Sequence, residues 1–223
     1  MDVKAGVAAV LAAWLLGGAV LGGCSITVPA PAGPAPEQSP SVLATPTITP
    51  GHDAGAVAAK DLPFSAGGSL APGVPVGISE GLKDAPGWKL VKEDVAGESQ
   101  YVKADGCLVA AKVRANQTAL SRGDDRQSTV ALFAYLDPTI LPEYLKTAKL
   151  RWGGVPEQPG PAVEVLVLEP PAVPGARATA IMARLFGTAG SSVYISVACP
   201  DASALAAARA DVAQRLQIIP PPN

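Results

Sequence analysis

ATAIMARLFGTAGSSVYISVACPD, residues Ala178 to Asp201, carries the decision about fold. Ala178 to Phe186 and Ser192 to Cys199 are β-rich runs, and Gly187-Thr188-Ala189-Gly190 between them is turn chemistry. The pair therefore reads as a hairpin or meander. Immediately afterwards the period changes. Asp201 or Ser203 can cap a C-terminal helix in which Leu205, Val212, Leu216 and Ile219 fall on one stripe, and Pro220 to Pro222 stop it.

Upstream, Ala162 to Leu168 reads as another strand and Leu141 to Leu150 as a short helix. Asp124 or Asp125 caps a longer helix with Val130, Phe133 and Leu136 near helical spacing, ending at Asp137-Pro138. Ser99 to Lys103 and Cys107 to Ala115 flank Ala104-Asp105-Gly106, an Asp-Gly hairpin signal that pairs them antiparallel. Val74 to Ser79, and Trp88 to Lys92 after the Pro86-Gly87 turn, complete the strands. Helices and strands do not alternate strictly, so the class is α+β: an antiparallel sheet with flanking helices. Gly87-Trp88, the hairpin meander and the helix start at Ala198 to Asp201 resemble the PsbP-like α/β/α sandwich of a group of actinobacterial lipoproteins. The resemblance covers about residues 73 to 220. It implies a two- or three-layer sandwich and brings no functional residues with it.

The other end of the chain speaks to location. Met1 to Lys4 is followed by an uncharged run, Ala5 to Leu21, which reads as the n- and h-regions of a signal peptide. A run of about 17 residues also sits at the lower edge of a membrane span, so an uncleaved anchor is the competing reading. Leu21-Gly22-Gly23-Cys24 resembles the lipobox of bacterial lipoproteins. That resemblance implies removal of residues 1–23, diacylglyceryl transfer to the Cys24 thiol and anchorage of the chain to the outer face of a bacterial cell membrane, firmly so with two or three acyl chains. From Cys24 to Pro72 the sequence is rich in Pro, Ala, Thr, Ser and Gly, a composition that buries too little surface to offset ordering entropy. It reads as a tether, on the order of 100 Å long if extended as polyproline II. Asp61-Leu62-Pro63-Phe64 is its one apolar island and receives no role. Residues 73–223 are left as the globular domain.

Three cysteines occur in the chain. With Cys24 acylated, Cys107 and Cys199 remain at the ends of expected strands in an oxidising compartment, which predicts a disulfide. Closing so long a loop stabilises the fold by around 4 kcal/mol on the loop-entropy account. They lack the C-x-x-C arrangement of a redox pair.

Several chemistries lack the residues they need. Gly77-Ile78-Ser79-Glu80-Gly81 matches the G-x-S-x-G elbow, but the only histidine, His52, lies upstream in the tether, where no base is expected. The same shortage leaves zinc and copper without a ligand set, and Asp124-Asp125 is better explained as a helix cap than as calcium ligands. No phosphate-cradling loop occurs, so no cofactor is expected. Seventeen Lys and Arg against nineteen Asp and Glu provide no basic patch for nucleic acid. Glu143, Glu164 and Glu169 are carboxylates whose separation only a structure can give. Asn116-Gln117-Thr118 fits the glycosylation pattern by chance.

So aromatic-poor a chain needs most of Trp88, Tyr101, Phe133, Tyr135, Tyr144, Trp152 and Tyr194 in its core, with Trp152 in an expected loop the one to watch. The expectation is a non-enzymatic envelope module that binds a protein, cell-wall or lipid partner. The alternatives are a carrier of hydrophobic small molecules and a carboxylate hydrolase.

Overall fold

The computed structural model describes residues 53–153, 160–171 and 173–221. In chain order these form α1 (Ala54–Ala58), β1 (Gly77–Ile78), β2 (Trp88–Val95), β3 (Glu98–Lys103), β4 (Leu108–Arg114) and α2 (Asp125–Leu136). Then come β5 (Leu145–Trp152), β6 (Ala162–Leu168), β7 (Ala178–Phe186), β8 (Ser191–Cys199), α3 (Ala202–Arg215) and β9 (Gln217–Ile219). The strands make one curled sheet in the order β1-β9-β5-β6-β7-β8-β4-β3-β2. All pairings are antiparallel except β5 with β9.

The hairpin expected from Ala178 to Cys199 is the centre of this sheet, registered from Ala178↔Cys199 to Phe186↔Ser191. Alternation along β7 gives the sheet two apolar faces. Met182 and Phe186 join Val163, Val165, Ile195 and Val197 in a core closed by Ala208 and Val212 of α3. Ala183 and Leu185 join Leu166 in a second core closed by Leu132 and Phe133 of α2. Helices therefore cover opposite faces of the central strands, which is why β6 and β7 read as apolar runs and not as alternating ones. The class is α+β.

Both long helices start where a carboxylate can satisfy an orphan amide. Asp124 accepts from Gln127 N and Asp201 from Ala204 N. α3 is tied to the β2–β3 hairpin through Asp211, which accepts from Trp88 Nε1 at 2.9 Å and Lys103 Nζ at 2.7 Å.

Four expectations are corrected. Leu141 to Leu150 is not a helix. A 3-10 turn at Pro142–Tyr144 leads into β5, where Leu145 serves the α2 core and Leu150 and Trp152 the α3 core. Ile219 does not extend the helical stripe, because α3 ends at Arg215 and Ile218 is buried as part of β9, beside Trp152. The strand expected over Val74 to Ser79 is confined to Gly77–Ile78.

The fourth concerns the boundary at residue 72. The described part of the 24–72 segment begins at Asp53, and it packs into the domain: Leu62 and Leu70 are each 2% exposed and Phe64 5%. Leu62 forms a parallel bridge with Val163, donating to Ala162 O at 2.8 Å and accepting from Glu164 N at 3.2 Å. A handful of apolar side chains suffices here because the sheet leaves them a gap.

Candidate functional site

That gap opens because β6 and β7 pair only over Leu166–Leu168 and Ile181–Ala183. Beyond Ala183 the strands part, and Arg184, fully buried, fills the opening. Its Nε and Nη2 donate to Asp125 Oδ2 at 3.1 and 2.6 Å. Nη1 reaches Leu62 O at 2.7 Å and Glu164 O at 3.1 Å, and Nη2 also reaches Pro63 O at 3.1 Å. A guanidinium has five N–H donors, and these five contacts can use them all. The rings of Phe64 and Phe186 lie 4.9 and 4.8 Å from its carbon. Burial pulls the Arg184 guanidinium below its ordinary value, and the charge and hydrogen bonds of Asp125 oppose that pull.

The amides of the parted β7 edge are satisfied from α2. Leu185 N donates to Thr129 Oγ1 at 2.9 Å and Gly187 N to Asp125 Oδ1 at 2.8 Å. Asp125 is thus a buried charge partner, while neighbouring Asp124 is the cap. Gly67 presses directly on the Asp125 carboxylate, so that a methyl group there would overlap it, whereas Gly68 faces open space. Gly67→Ala is expected to cost roughly 1–3 kcal/mol by displacing Asp125, and Gly68→Ala to melt within a degree or two of the wild type. Calorimetry of the two variants checks the difference.

A second feature lies where the curled sheet brings β1 against β4. Here is a solvent-open cleft of about 540 Å³, walled by Val76, Ile78, Val113 and Ile219 and edged by Glu80, Asp94 and Ser99. Two residues at its β2–β3 rim, Asp94 and Ala96, hold left-handed backbone with φ of 42° and 55°, and β2 is bulged beside them. Two positions along β3 from the cleft residue Ser99 lies Tyr101, 1% exposed and not among the residues that line the cleft. Burial pushes the phenol up to about 12; Glu80 adds to the shift and the Ser99 hydroxyl opposes it.

The residues singled out from sequence are distributed differently. Ser79 is held as a structural link, accepting from Gln217 N at 2.9 Å and donating to Arg215 O at 3.4 Å. His52 and Cys24 lie outside the described residues. Glu164 accepts from Phe64 N at 2.9 Å, Glu169 pairs with Arg209, and Glu143 sits exposed in the 3-10 turn before β5. Glu164 and Glu169 are thus each engaged by a partner of their own. Trp152 is not in a loop; it ends β5 fully buried, and its Nε1 donates to Val57 O at 3.1 Å. Trp88, Tyr101 and Phe133 are core, whereas Tyr135 and Tyr144 are exposed. Asn116 holds a positive φ of 58° just after β4. Among the described residues no three His, Cys, Asp or Glu side chains form a metal-holding group.

Cys107 and Cys199 are joined, with Cα atoms 4.1 Å apart across 92 positions of sequence. Cys107 immediately precedes β4 and Cys199 ends β8, two paired strands whose register matches Leu108 to Ala198.

No protein-family model and no curated protein matches the chain. The functional reading therefore rests on its own residues.

Arg184 is a position that the sequence reading leaves without a role. Arg184 had a signal, since a lone charge within ATAIMARLF must be paired or misplaced.

Proposed function

We propose that the chain is a membrane-anchored, extracytoplasmic binding module, non-enzymatic in action, whose Cys24 carries the lipid and whose domain meets its partner at the envelope. The observation that carries this reading is the Cys107–Cys199 bridge. Such bonds persist in oxidising compartments, and this one leaves Cys24, in its Leu-Gly-Gly-Cys setting, as the chain's remaining cysteine. Within the α+β class we assign the finer PsbP-like sandwich, supported by α2 and α3 lying on opposite faces of the central strands. The partner is an envelope protein, a cell-wall component or a small ligand.

The test is fractionation of bacteria that express the full chain, followed by mass spectrometry of the mature N-terminal peptide. The expected peptide begins at an acylated Cys24 and comes from the membrane fraction. Cys24→Ala is expected to appear either in the soluble fraction or as a precursor retaining residues 1–23. A wild-type peptide that starts at Met1 and bears no acyl group would overturn the reading.

A further inference from the structure

The two sides of the gap between β6 and β7 are finished differently. On the β7 side the edge amides are satisfied from α2, Leu185 N by Thr129 and Gly187 N by Asp125, so that side needs nothing from the segment that fills the gap. On the β6 side Ala162 O and Glu164 N are spent on Leu62. A strand edge of this kind takes an extended segment by main-chain hydrogen bonds. The segment's backbone is also read by side chains: Arg184 donates to the carbonyls of Leu62 and Pro63, and Glu164 accepts from Phe64 N. Leu62 enters the core under α3 and Phe64 the core under α2. With the segment withdrawn, Arg184 would keep Asp125 Oδ2 and Glu164 O, so its charge would stay paired.

The segment is also hinged. Ala71-Pro72-Gly73-Val74-Pro75 joins Leu70 to the buried Val76; its two prolines have no N–H to donate, and Gly73 holds a φ of 73°. Val76 is held separately, its N–H donating to Ser191 Oγ, so β1 need not move when the segment does. The peptide seated in the gap is this chain's own Asp61 to Phe64, and a second copy carries an identical one. Exchange between two copies keeps every one of these contacts and costs association alone. A segment on a short tether has an effective concentration on the order of millimolar, so closed chains prevail in dilute solution and crowding favours exchange.

We propose that the β6–β7 gap is a strand-acceptor groove through which two copies of this chain exchange residues 61–70, each seating the other's segment. The assignment rests on the binding-module reading and names a partner for it, a second copy.

The test uses the purified full chain and the contact of Asp61 with Lys149, 3.5 Å apart and exposed on both sides. Unlabelled and ¹⁵N-labelled chains are mixed, and a carbodiimide couples this carboxylate to this amine. A closed chain yields linked peptides of one isotope, whereas exchange yields mixed pairs. The mixed share is expected to rise tenfold or more between about 10 µM and about 1 mM protein. Leu62→Gly/Phe64→Gly removes both anchoring side chains, leaves the groove unchanged in sequence, and is expected to abolish the mixed pairs. Hydrogen exchange reads the same release in the wild type: the Leu62 and Glu164 amides are expected to exchange on the order of a hundredfold faster than that of Ile195 in β8, through local opening. Linked peptides of one isotope at every concentration, mixed pairs that persist in the double variant, or bridge amides as slow as that of Ile195 would each overturn the assignment. Acylation of Cys24 is read separately on the N-terminal peptide, so failure of exchange is distinguishable from failure of the anchored-module reading.

Discussion

Asp125→Ala is expected to lower the stability of the domain by about 3–5 kcal/mol, the cost of stranding one member of a buried ion pair. Arg184 has no route to water, and three of its five contacts are to neutral carbonyls that cannot balance its charge. The variant also removes the acceptor of Gly187 N. In a domain of about 150 residues the loss corresponds to a fall in melting temperature of roughly 10 °C. Arg184→Met is expected to be damaging in a different way. It leaves the Asp125 carboxylate buried, still bonded to Gly187 N, and it releases the carbonyls of Leu62, Pro63 and Glu164. The double variant should be less unstable than the sum of the two, because neither charge is then stranded. Limited proteolysis adds a local readout: both single variants should be cut between Asp61 and Leu70 faster than the wild type. Melting within a degree or two of wild type in Asp125→Ala would show that the pair is not a keystone of the fold.

Reduction of the disulfide is the second large effect. The bridge spans 92 positions, so on the loop-entropy account its loss frees the unfolded chain by about 4–5 kcal/mol. The melting temperature should drop by roughly 10 °C in excess reductant. Cys107→Ala/Cys199→Ala should fall by a similar amount and become indifferent to reductant. The bridge lies at the ends of β4 and β8, while Arg184 and Asp125 hold the gap between β6 and β7. The two losses should therefore be nearly additive. Free thiols in the untreated protein would reject the bridge.

Much of this architecture is legible in the amino-acid sequence where the signal is local. Asp105-Gly106 marks the β3–β4 hairpin, Gly187 to Gly190 marks the β7–β8 turn, and Asp124 and Asp201 cap the helices expected of them. What escapes is decided by distant partners. Leu141, Leu145 and Ala148 keep helical spacing, yet the sheet claims Leu145 and Leu150 for opposite faces. Ile219 continues the α3 stripe on paper, but the edges of β1 and β5 offer its segment backbone partners. Leu62 and Phe64 look inert among Pro, Ala and Gly because Val163 and Arg184 lie a hundred residues or more downstream. The same holds for the cleft: Glu80, Asp94 and Ser99 come together only after the sheet has curled.

The parallel bridge of Leu62 to Val163 has a mechanical consequence for a protein anchored as proposed. A pull transmitted through Asp53 would reach the two hydrogen bonds of this bridge before it reached β1. The guanidinium grip on Leu62 and Pro63 lies in the same path. Under flow or thermal drag, a pull on a chain so anchored would meet these contacts, with that of Val57 to Trp152, before it reached the named strands of the sheet.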